Sequence, residues 1–442
     1  MNIGYVGLGA LGRELARRFL PRHSLGVWDL SPAACAAFEG SGARVAESAA
    51  ALGRHCDVLL VCLPRSVDVR QLLFGKTGLA AALAPGTLVI DQTSGVPAET
   101  AAIACDLAAL GIPLVDAAVS ANPLTVHAGA ATLMVSGAPE IVEEAMPVLR
   151  CITETIRRCG ARVGDGQAVK LVNNAINAGT RIGTLEIAAL GRKAGISLPA
   201  LAQALNGGDA GNQTTETMLP ALARGEASTN FALSLMLKDL NQAVELGLQH
   251  GAAMPLSGLT RSLLQFGVND LGDQARLEDM VGVVGSMAAT RIAGTATVEG
   301  TAQPGLLLDL QACVAALCRS LTLECVMAGA RHGLEWSVMR DVLSASSGWT
   351  AAGRTLLPAL AGGADEVPVP LTPRLHALRR ATVLAMRLGA PMVLSTAVLG
   401  LYEAAQAEFG PEATLDRLSE LGVRQAGVRR GQAFAVDASA AL

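Results

Sequence analysis

At 442 residues the chain is long enough for two or three domains of about 100–200 residues each. Its composition is 51% hydrophobic and 16% charged, which excludes a disordered or fibrous chain and favours helices packed on a sheet. The net charge is only −4, and no run of Lys and Arg is interleaved with aromatic residues, so nucleic acid is not an expected partner.

The first residues enter an apolar strand pattern at once, without the charged and apolar regions of a signal peptide. No charge-free apolar run reaches the ~18–20 residues that a membrane helix requires. The nine cysteines are scattered without a CxxC pair, and we interpret them as small core residues rather than as disulfides or metal ligands. We therefore expect a cytoplasmic protein without a bound metal.

The first predicted strand, Ile3 to Val6, leads through a GxGxxG loop into an amphipathic helix. In this order the motif predicts a dinucleotide-binding turn, because the loop amides approach a pyrophosphate at the positive end of the helix. A glycine-rich turn that serves packing alone is the alternative. The candidate cofactor-binding residues of the turn are Gly7, Gly9, Ala10, Leu11 and Gly12.

The second predicted strand ends in Asp29, about 20 residues beyond the glycines, where an acid accepts hydrogen bonds from ribose hydroxyls. The alternative is a helix cap or turn residue. No Arg follows that would hold a 2′-phosphate, so NAD is favoured and NADP is the second choice.

Further predicted strands at 57–64, 86–94, 112–120 and 131–137 alternate with helical stretches. This pattern predicts an α/β Rossmann domain with a doubly wound, mostly parallel sheet. Leu63, Pro64 and Ser94 fall at or just beyond the carboxyl ends of strands, where such sheets bind ligands. Each of them is equally compatible with a plain turn.

Four motifs in order resemble the β-hydroxyacid dehydrogenase family, the group of 3-hydroxyisobutyrate dehydrogenase and tartronate semialdehyde reductase, with 6-phosphogluconate dehydrogenase as a larger relative. They are IGYVGLGALG, DAAVSANPLTVHAGAATLMVSG (116–137), GDGQAVKLVNNAI (164–176) and FALSLMLKDLNQA (231–243). The resemblance covers roughly residues 1 to 290. It implies NAD(P)-dependent interconversion of a small 3-hydroxyacid and its oxo acid or semialdehyde.

By this resemblance Lys170 is the catalytic acid/base, Asn174 and Ser120 bind the substrate, and Lys238 lies beside the nicotinamide. Hydride transfer to a carbonyl leaves an alkoxide that needs a proton donor, and a Lys serves when its pKa is lowered, here by Lys238 or by the oxidised ring. Lys170, Asn173 and Asn174 have helical spacing i, i+3 and i+4, so all three can face one cleft. Solvated lysines, with Lys238-Asp239 as a surface pair, are the alternative.

The substrate loop departs from the family pattern after Ser120. Relatives usually have two glycines there, whereas this chain has Ala121 and Asn122, which we also assign to the substrate site. Asn tolerates unusual backbone angles, so the loop can keep its shape while the side chain enters the pocket. His127, in the same loop, is a weaker candidate for substrate contact.

The C-terminal half repeats the sequence of the preceding helical region. TLEIAALGRKAG at 184 returns as TLECVMAGARHG at 322, and GAAMPLS at 251 returns as GAPMVLS at 389; both shifts are 138 (322 − 184 and 389 − 251). At the same shift Lys170, Asn173, Asn174 and Lys238 become Leu308, Gln311, Ala312 and His376, so the copy has lost the chemistry.

We therefore predict two tandem all-α domains after the Rossmann domain, the second a degenerate copy of the first. The boundaries are 1–163 for the Rossmann domain, 164–292 for the catalytic helical domain, 306–430 for the copy and 431–442 for a tail, with 293–305 as the join. The copy would act as an internal pseudo-dimer partner, and whole chains would either remain single or pair again as a homodimer. In a second interpretation the segment 344–354 closes the cleft with Trp349 or Arg354.

Two other functions compete with dehydrogenation. A cofactor-binding sensor or scaffold without turnover is suggested by the altered loop and the degenerate copy. Imine reduction on the same architecture is disfavoured, because those relatives generally replace the catalytic Lys.

Overall fold

The computed structural model describes residues 1–76, 78–121, 123–294, 304–363 and 365–431. The described residues form the strands β1 Asn2–Val6, β2 Ser24–Trp28, β3 Arg44–Val45, β4 Val58–Val61, β5 Leu88–Asp91, β6 Leu114–Ser120, β7 Thr132–Ser136 and β8 Ile156–Gly160. Interleaved with them are the helices α1 Ala10–Arg17, α2 Pro32–Ala36, α3 Ala49–Gly53, α4 Ser66–Phe74, α5 Leu79–Ala82, α6 Pro97–Ala108, α7 Pro123–His127 and α8 Pro139–Leu149.

Only helices follow the last described strand. They are α9 Asp165–Lys193, α10 Leu198–Leu205, α11 Leu219–Arg224, α12 Leu233–Gln249, α13 Pro255–Leu271, α14 Met280–Met287, α15 Pro304–His332, α16 Trp336–Leu343, α17 Ala351–Leu360, α18 Thr372–Leu388, α19 Val393–Phe409 and α20 Leu415–Ala426, with short 3₁₀ or π turns at Gly208–Ala210, Thr214–Met218 and Leu277–Asp279. The predicted class, a Rossmann sheet followed by helices, is confirmed.

The strands form one sheet in the order β3-β2-β1-β4-β5-β6-β7-β8. Among the described strands, neighbours run parallel except β6 and β7, which are antiparallel. The strand order reverses between β1 and β4, which is the switch point where doubly wound sheets bind ligands. The sequence patterns did not predict β3 or β8; β3 has only two residues, and β8 carries two arginines, so neither has a clear apolar signature.

Alternate residues of the central strands enter two different cores. Leu60 and Ile90 belong to the core on one face of the sheet, while Leu59 and Val89 belong to the core on the other. Successive side chains of a strand point to opposite faces, so a strand covered on both sides is apolar throughout. This explains why the sequence of β4, VLLV, is a continuous apolar run that is entirely buried.

The chain divides into two compact units, Met1–Leu171 and Val172–Leu442, and the division falls within α9. The predicted boundary at 163 and 164 lies just before that helix. Most of the predicted join and tail lies outside the described residues, so the predicted domain limits stay a prediction.

Helix α15 has the length and composition of a membrane-spanning helix, with a mean hydropathy of 1.6 over its most apolar window. However, 67% of that window is buried inside the structure, as in the core helix of a globular domain.

Candidate active site

The glycines of the first loop have two different functions. Gly7 has a φ of +96°, and a Cβ there would lie 2.1 Å from the Cys62 carbonyl oxygen, while a Cβ on Gly12 would lie 2.0 Å from the Gly7 carbonyl oxygen. These two glycines therefore permit close packing of the loop, the end of β4 and the first turn of α1. A Cβ on Gly9 would meet no atom of the described residues within 4 Å, so this loop backbone borders open space.

Open space beside Gly9 is what a dinucleotide pyrophosphate requires. Gly9 immediately precedes α1, and the N–H groups of a first helical turn have no partners within the helix. Ala10 and Leu11 form that first turn. The glycine loop therefore fits the phosphate-binding part of a nicotinamide dinucleotide.

Asp29 lies at the carboxyl end of β2, and its carboxylate is held by two backbone amides. Leu8 N donates to Oδ2 at 2.6 Å, and Ser31 N donates to Oδ1 at 2.7 Å. Each carboxylate oxygen can accept a further hydrogen bond, so the half-buried side chain keeps capacity for ribose hydroxyls. The bond from Leu8 ties Asp29 directly to the glycine loop, which the sequence spacing alone did not indicate.

Leu63, Pro64, Ser94 and Ser120 lie at or just beyond the carboxyl ends of β4, β5 and β6. These strands are parallel to β1, so their ends lie at the same edge of the sheet as the glycine loop. Leu63 N donates to Thr93 Oγ1 at 3.1 Å, which joins the loops after β4 and β5.

The substrate loop is described only in part. Ser120 is the last residue of β6, and Ala121 packs against the core of one sheet face. Asn122 lies outside the described residues. His127 ends the short helix α7 with an exposed side chain.

A buried carboxylate fixes the beginning of α9, the helix that carries Lys170. Asp116 accepts hydrogen bonds from Gly164 N at 2.7 Å, from Gln167 N at 3.0 Å and from the hydroxyl of Ser136. Burial raises the pKa of Asp116 to about 7, although these hydrogen bonds oppose the shift. Asp116 is the first residue of the motif at 116–137, but the sequence does not indicate that it anchors a helix 48 or more residues away.

A second carboxylate, Asp91 at the end of β5, supports the same helix start. Gln167 Nε2 donates to Asp91 Oδ2 at 3.4 Å and to the Thr93 carbonyl oxygen at 3.0 Å. Burial raises the pKa of Asp91 to about 6. Lys170 follows Gln167 by three residues and is only 8% exposed, so it is not a solvated surface lysine.

In the second compact unit, Val172–Leu442, which is called the helical unit below, the other predicted polar residues form one network that is buried except at Lys238. Asn174 Nδ2 donates to Asp239 Oδ2 at 2.6 Å, and Asn174 Oδ1 accepts from Asn173 Nδ2 at 3.0 Å. Lys238 Nζ lies 3.0 Å from Asp239 Oδ1. Asp239 is 2% exposed, so the surface interpretation of Lys238-Asp239 is wrong for its acidic member; a polar residue at a core-facing position of the α12 periodicity was the available signal.

Trp349 and Arg354 contact each other in the helical unit. The Arg354 guanidinium lies 4.5 Å from the centre of the Trp349 ring, and Trp349 Nε1 donates to Gln213 Oε1 at 3.0 Å. Their segment nevertheless reaches α9 through other residues, Ser346 to Gly348, which the sequence interpretation did not single out. Among the described residues no group of three His, Cys, Asp or Glu side chains is arranged to hold a metal.

Comparison with known proteins decides the family. Residues 2–161 match the NAD-binding domain of 6-phosphogluconate dehydrogenase, and residues 164–284 match the NAD-binding domain of NADP-dependent 3-hydroxyisobutyrate dehydrogenase. The NAD-dependent L-serine dehydrogenase of Pseudomonas aeruginosa is 33% identical over 270 residues, which cover 59% of this chain and 90% of that protein. The chain belongs to the β-hydroxyacid dehydrogenase family.

Two further similarities differ in how much of the chain they cover. Human mitochondrial 3-hydroxyisobutyrate dehydrogenase is 31% identical over 249 residues, covering 54% of this chain and 74% of the human protein. The structure of 6-phosphogluconate dehydrogenase from Plasmodium falciparum has a TM-score of 0.69 at 12% identity and covers 91% of this chain and 92% of its own. The chain is thus a nicotinamide-dependent oxidoreductase acting on CH–OH groups. Its similarity in fold to 6-phosphogluconate dehydrogenase includes the C-terminal helices.

Proposed function

We propose that the protein oxidises a small 3-hydroxyacid to its oxo acid or semialdehyde, and catalyses the reverse reaction, with Lys170 as acid/base. The observation that carries the proposal is the buried Lys170 on a helix whose start is fixed by Asp116. A general base must hold its position within hydrogen-bond reach of the reacting hydroxyl. A helix anchored at its first turn supplies that rigidity.

The oxidised nicotinamide, when bound, would accept the hydride from the substrate. During oxidation neutral Lys170 Nζ takes the hydroxyl proton as the C–H bond breaks, and protonated Lys170 returns a proton to the carbonyl oxygen in the reverse direction. Asn174, one helical turn after Lys170, binds the substrate hydroxyl or carboxylate, and Ser120 binds the carboxylate from the end of β6. Lys238 would contact the nicotinamide ring when the cofactor is bound, which is the role that the family resemblance implies.

A short, unphosphorylated acid is the proposed substrate, and NAD is the proposed cofactor. The similarity to dehydrogenases of 3-hydroxyisobutyrate and L-serine supports a short acid, since both of those substrates are small. The carboxylate of Asp29, held beside the glycine loop by Leu8 N, supports NAD, because it would repel the 2′-phosphate of NADP. Ala121 and Asn122, in place of glycines, are proposed to set which hydroxyacid is accepted.

The test is NAD and NADP reduction at alkaline pH with 3-hydroxyisobutyrate, 3-hydroxypropionate, serine, glycerate, threonate and gluconate. Lys170→Ala is expected to lower kcat at least about 100-fold on the best substrate, because acid/base catalysis contributes about 10²–10⁴. Lys76→Ala, at an exposed position of the first unit, is the matched control and should leave kcat unchanged. Near-normal turnover by Lys170→Ala would reject the mechanism, and tight NAD binding without turnover on any acid would favour the sensor function.

We also propose that residues 306–430 are a degenerate copy of residues 164–292 and pair with them as an internal pseudo-dimer. The helix bounds support this: α16 begins 138 residues after α10 (336 − 198), and α19 begins 138 residues after α13 (393 − 255). The two longest helices, α9 and α15, each have 29 residues and begin 139 residues apart (304 − 165). Isolated bridges recur as well, Ala232 with Arg276 and Pro370 with Thr414.

Reciprocal contacts support the pairing. Glu186 of α9 accepts hydrogen bonds from Leu394 N at 3.1 Å and Ser395 N at 3.3 Å, which belong to the first turn of α19. At the equivalent positions Glu324 of α15 accepts from Leu256 N at 2.8 Å and Ser257 N at 2.7 Å in the first turn of α13. In the proposed pseudo-dimer each long helix therefore caps a helix of the other copy, as isologous contacts in a two-fold dimer require.

A second pair of equivalent side chains also makes reciprocal contacts. Lys193 Nζ donates to the Ala288 carbonyl oxygen at 2.7 Å and to that of Gly389 at 3.3 Å. Its equivalent, Arg331, donates to the carbonyl oxygen of Ala426, which corresponds to Ala288, at 3.1 Å and to that of His250 at 2.6 Å. A cation at the same position of each copy therefore binds carbonyl groups of both copies.

A further inference from the structure

The loop between α16 and α17 contacts the helix that carries the predicted substrate ligand. Ser346 Oγ donates to Asn173 Oδ1 at 2.6 Å, and Gly348 N donates to the same oxygen at 2.7 Å. Asn173 Nδ2 donates to Ser347 Oγ at 3.0 Å. One turn further along α9, Asn177 Nδ2 donates to the Ser347 carbonyl oxygen at 2.9 Å.

These contacts determine which way the Asn173 carboxamide points. Its oxygen and nitrogen ends have almost the same shape, so only hydrogen-bond partners decide the orientation. Two donors at Oδ1 hold the oxygen towards the loop, and Nδ2 is thereby directed to Asn174 Oδ1 at 3.0 Å. Asn173 is completely buried, so reversing the amide would leave unsatisfied groups at a cost of about 1–3 kcal/mol.

The orientation is passed on to the predicted site residues. Because Asn174 Oδ1 accepts from Asn173, its Nδ2 is the end that donates to Asp239 Oδ2, at 2.6 Å. The other oxygen of Asp239, Oδ1, lies 3.0 Å from Lys238 Nζ. A single chain of contacts thus connects the loop with the predicted substrate ligand and the predicted nicotinamide neighbour.

We propose that the loop Ser346–Gly348 is a positioning element of the dehydrogenase, which orients Asn174 for the substrate through Asn173. The inference rests on the proposed function, in which Asn174 binds the hydroxyacid. It gives the C-terminal helices a role in the reaction although they have lost the equivalents of Lys170 and Lys238. Ser346 and Ser347 are positioning residues, since they act through Asn173.

The close approach of the loop is built into its sequence. A Cβ on Gly348 would lie 2.7 Å from the Asn173 carbonyl oxygen and 2.8 Å from its Oδ1, so a larger residue would displace the loop. The contact is also one-sided. Gln311, the equivalent of Asn173 in the copy, donates to the Ala204 carbonyl oxygen at 3.0 Å. The equivalents of Asn174 and Asp239 are Ala312 and Ala377, so the copy cannot form the rest of the hydrogen-bond chain.

The experiment compares Ser346→Ala with Ser344→Ala, an exposed serine of the same loop whose hydroxyl donates to the Arg340 carbonyl oxygen. Ser346→Ala is expected to lower kcat/KM for the best hydroxyacid about tenfold, mainly by raising KM, because one of two donors at Asn173 Oδ1 is lost. Ser346→Thr, which keeps the hydroxyl, should restore most of the loss. Ser344→Ala should leave both constants unchanged.

A double-mutant cycle separates positioning from a general structural effect. If Ser346 acts through Asn174, adding Ser346→Ala to Asn174→Ala should lower kcat/KM by less than about twofold more. An equal tenfold loss in both backgrounds, or Ser346→Ala indistinguishable from Ser344→Ala, would overturn the inference. Ser347→Ala at a half-buried position is the second variant, should Ser346→Ala fail to fold, and is expected to raise KM in the same way.

Failure of the inference differs from failure of the proposed function. The wild type and Lys170→Ala are assayed first, and absence of hydroxyacid turnover by the wild type would refute the proposed function. An active wild type that loses activity with Lys170→Ala but tolerates Ser346→Ala would refute only the positioning role.

Discussion

The two longest helices approach each other at glycines, and this contact allows a quantitative test of how the helical unit is packed. A Cβ on Gly183 of α9 would lie 2.0 Å from Leu317 Cδ2 of α15, and one on Gly179 would lie 2.6 Å from Leu321 Cδ2. Both leucines are completely buried, so they cannot turn into solvent. We predict that Gly183→Ala destabilises the protein although alanine is the better helix former.

Two opposing effects set the magnitude. Replacing a glycine inside a helix by alanine stabilises it by about 1 kcal/mol. The new methyl group would also lie only 3.0 Å from both Cδ1 and Cγ of Leu317, so moving one methyl does not relieve the overlap. Overpacking of this kind costs about 1–3 kcal/mol, and the net effect is a loss of about 0–2 kcal/mol.

The assay is urea unfolding of Gly183→Ala beside Gly400→Ala. Gly400 is an exposed residue inside α19, and a Cβ there would meet no described atom within 4 Å, so this control should be stabilised by up to about 1 kcal/mol. The two variants should therefore differ by about 1–3 kcal/mol. Gly183→Ala as stable as Gly400→Ala would refute the packing argument.

A compensating variant sharpens the result. Leu317→Ala alone should cost about 2–5 kcal/mol, because it leaves a cavity in a buried contact. In combination with Gly183→Ala the loss should be smaller than the sum by at least about 1 kcal/mol, since the added methyl then occupies vacated space. Additive losses would show that the two positions do not meet.

Two more predictions concern charge. Burial raises the pKa of Glu186 from 4.5 to about 7, so the unfolded chain ionises first and the free energy of unfolding falls as pH rises between these values. Glu186→Gln should reduce the fall in the free energy of urea unfolding between pH 4.5 and 7 by at most about 3 kcal/mol, and so should Glu324→Gln, since the pKa of Glu324 is raised equally. An unchanged pH dependence in these variants would contradict the burial of Glu186 and Glu324 as helix caps. Asp29→Ala should raise KM for NAD about tenfold and KM for NADP much less, because the ribose hydroxyls lose their acceptor; equal losses for both cofactors would contradict the role of Asp29.

The local patterns of the sequence were sufficient to identify the class of the first domain, although not every strand in it. β1, the glycine loop and α1 are neighbours in the chain, and continuous apolar runs such as VLLV identify strands buried on both faces. Short or charged strands carry no such pattern, and β3 and β8 were missed for that reason. The antiparallel pairing of β6 and β7 was also missed, because strand direction depends on how the connection crosses the sheet.

The sequence by itself determined the class of the first domain, the family motifs, the 138-residue correspondence and the candidate side chains of the predicted site. The tertiary structure alone decided which partners those side chains have. Asp116 meets Gln167, Glu186 meets Leu394, and Asn173 meets Ser346, at separations of 51, 208 and 173 residues. Hydrogen bonds depend on distances of about 3 Å and on direction, and no periodicity along the chain encodes which distant residue will satisfy a buried amide or carboxylate.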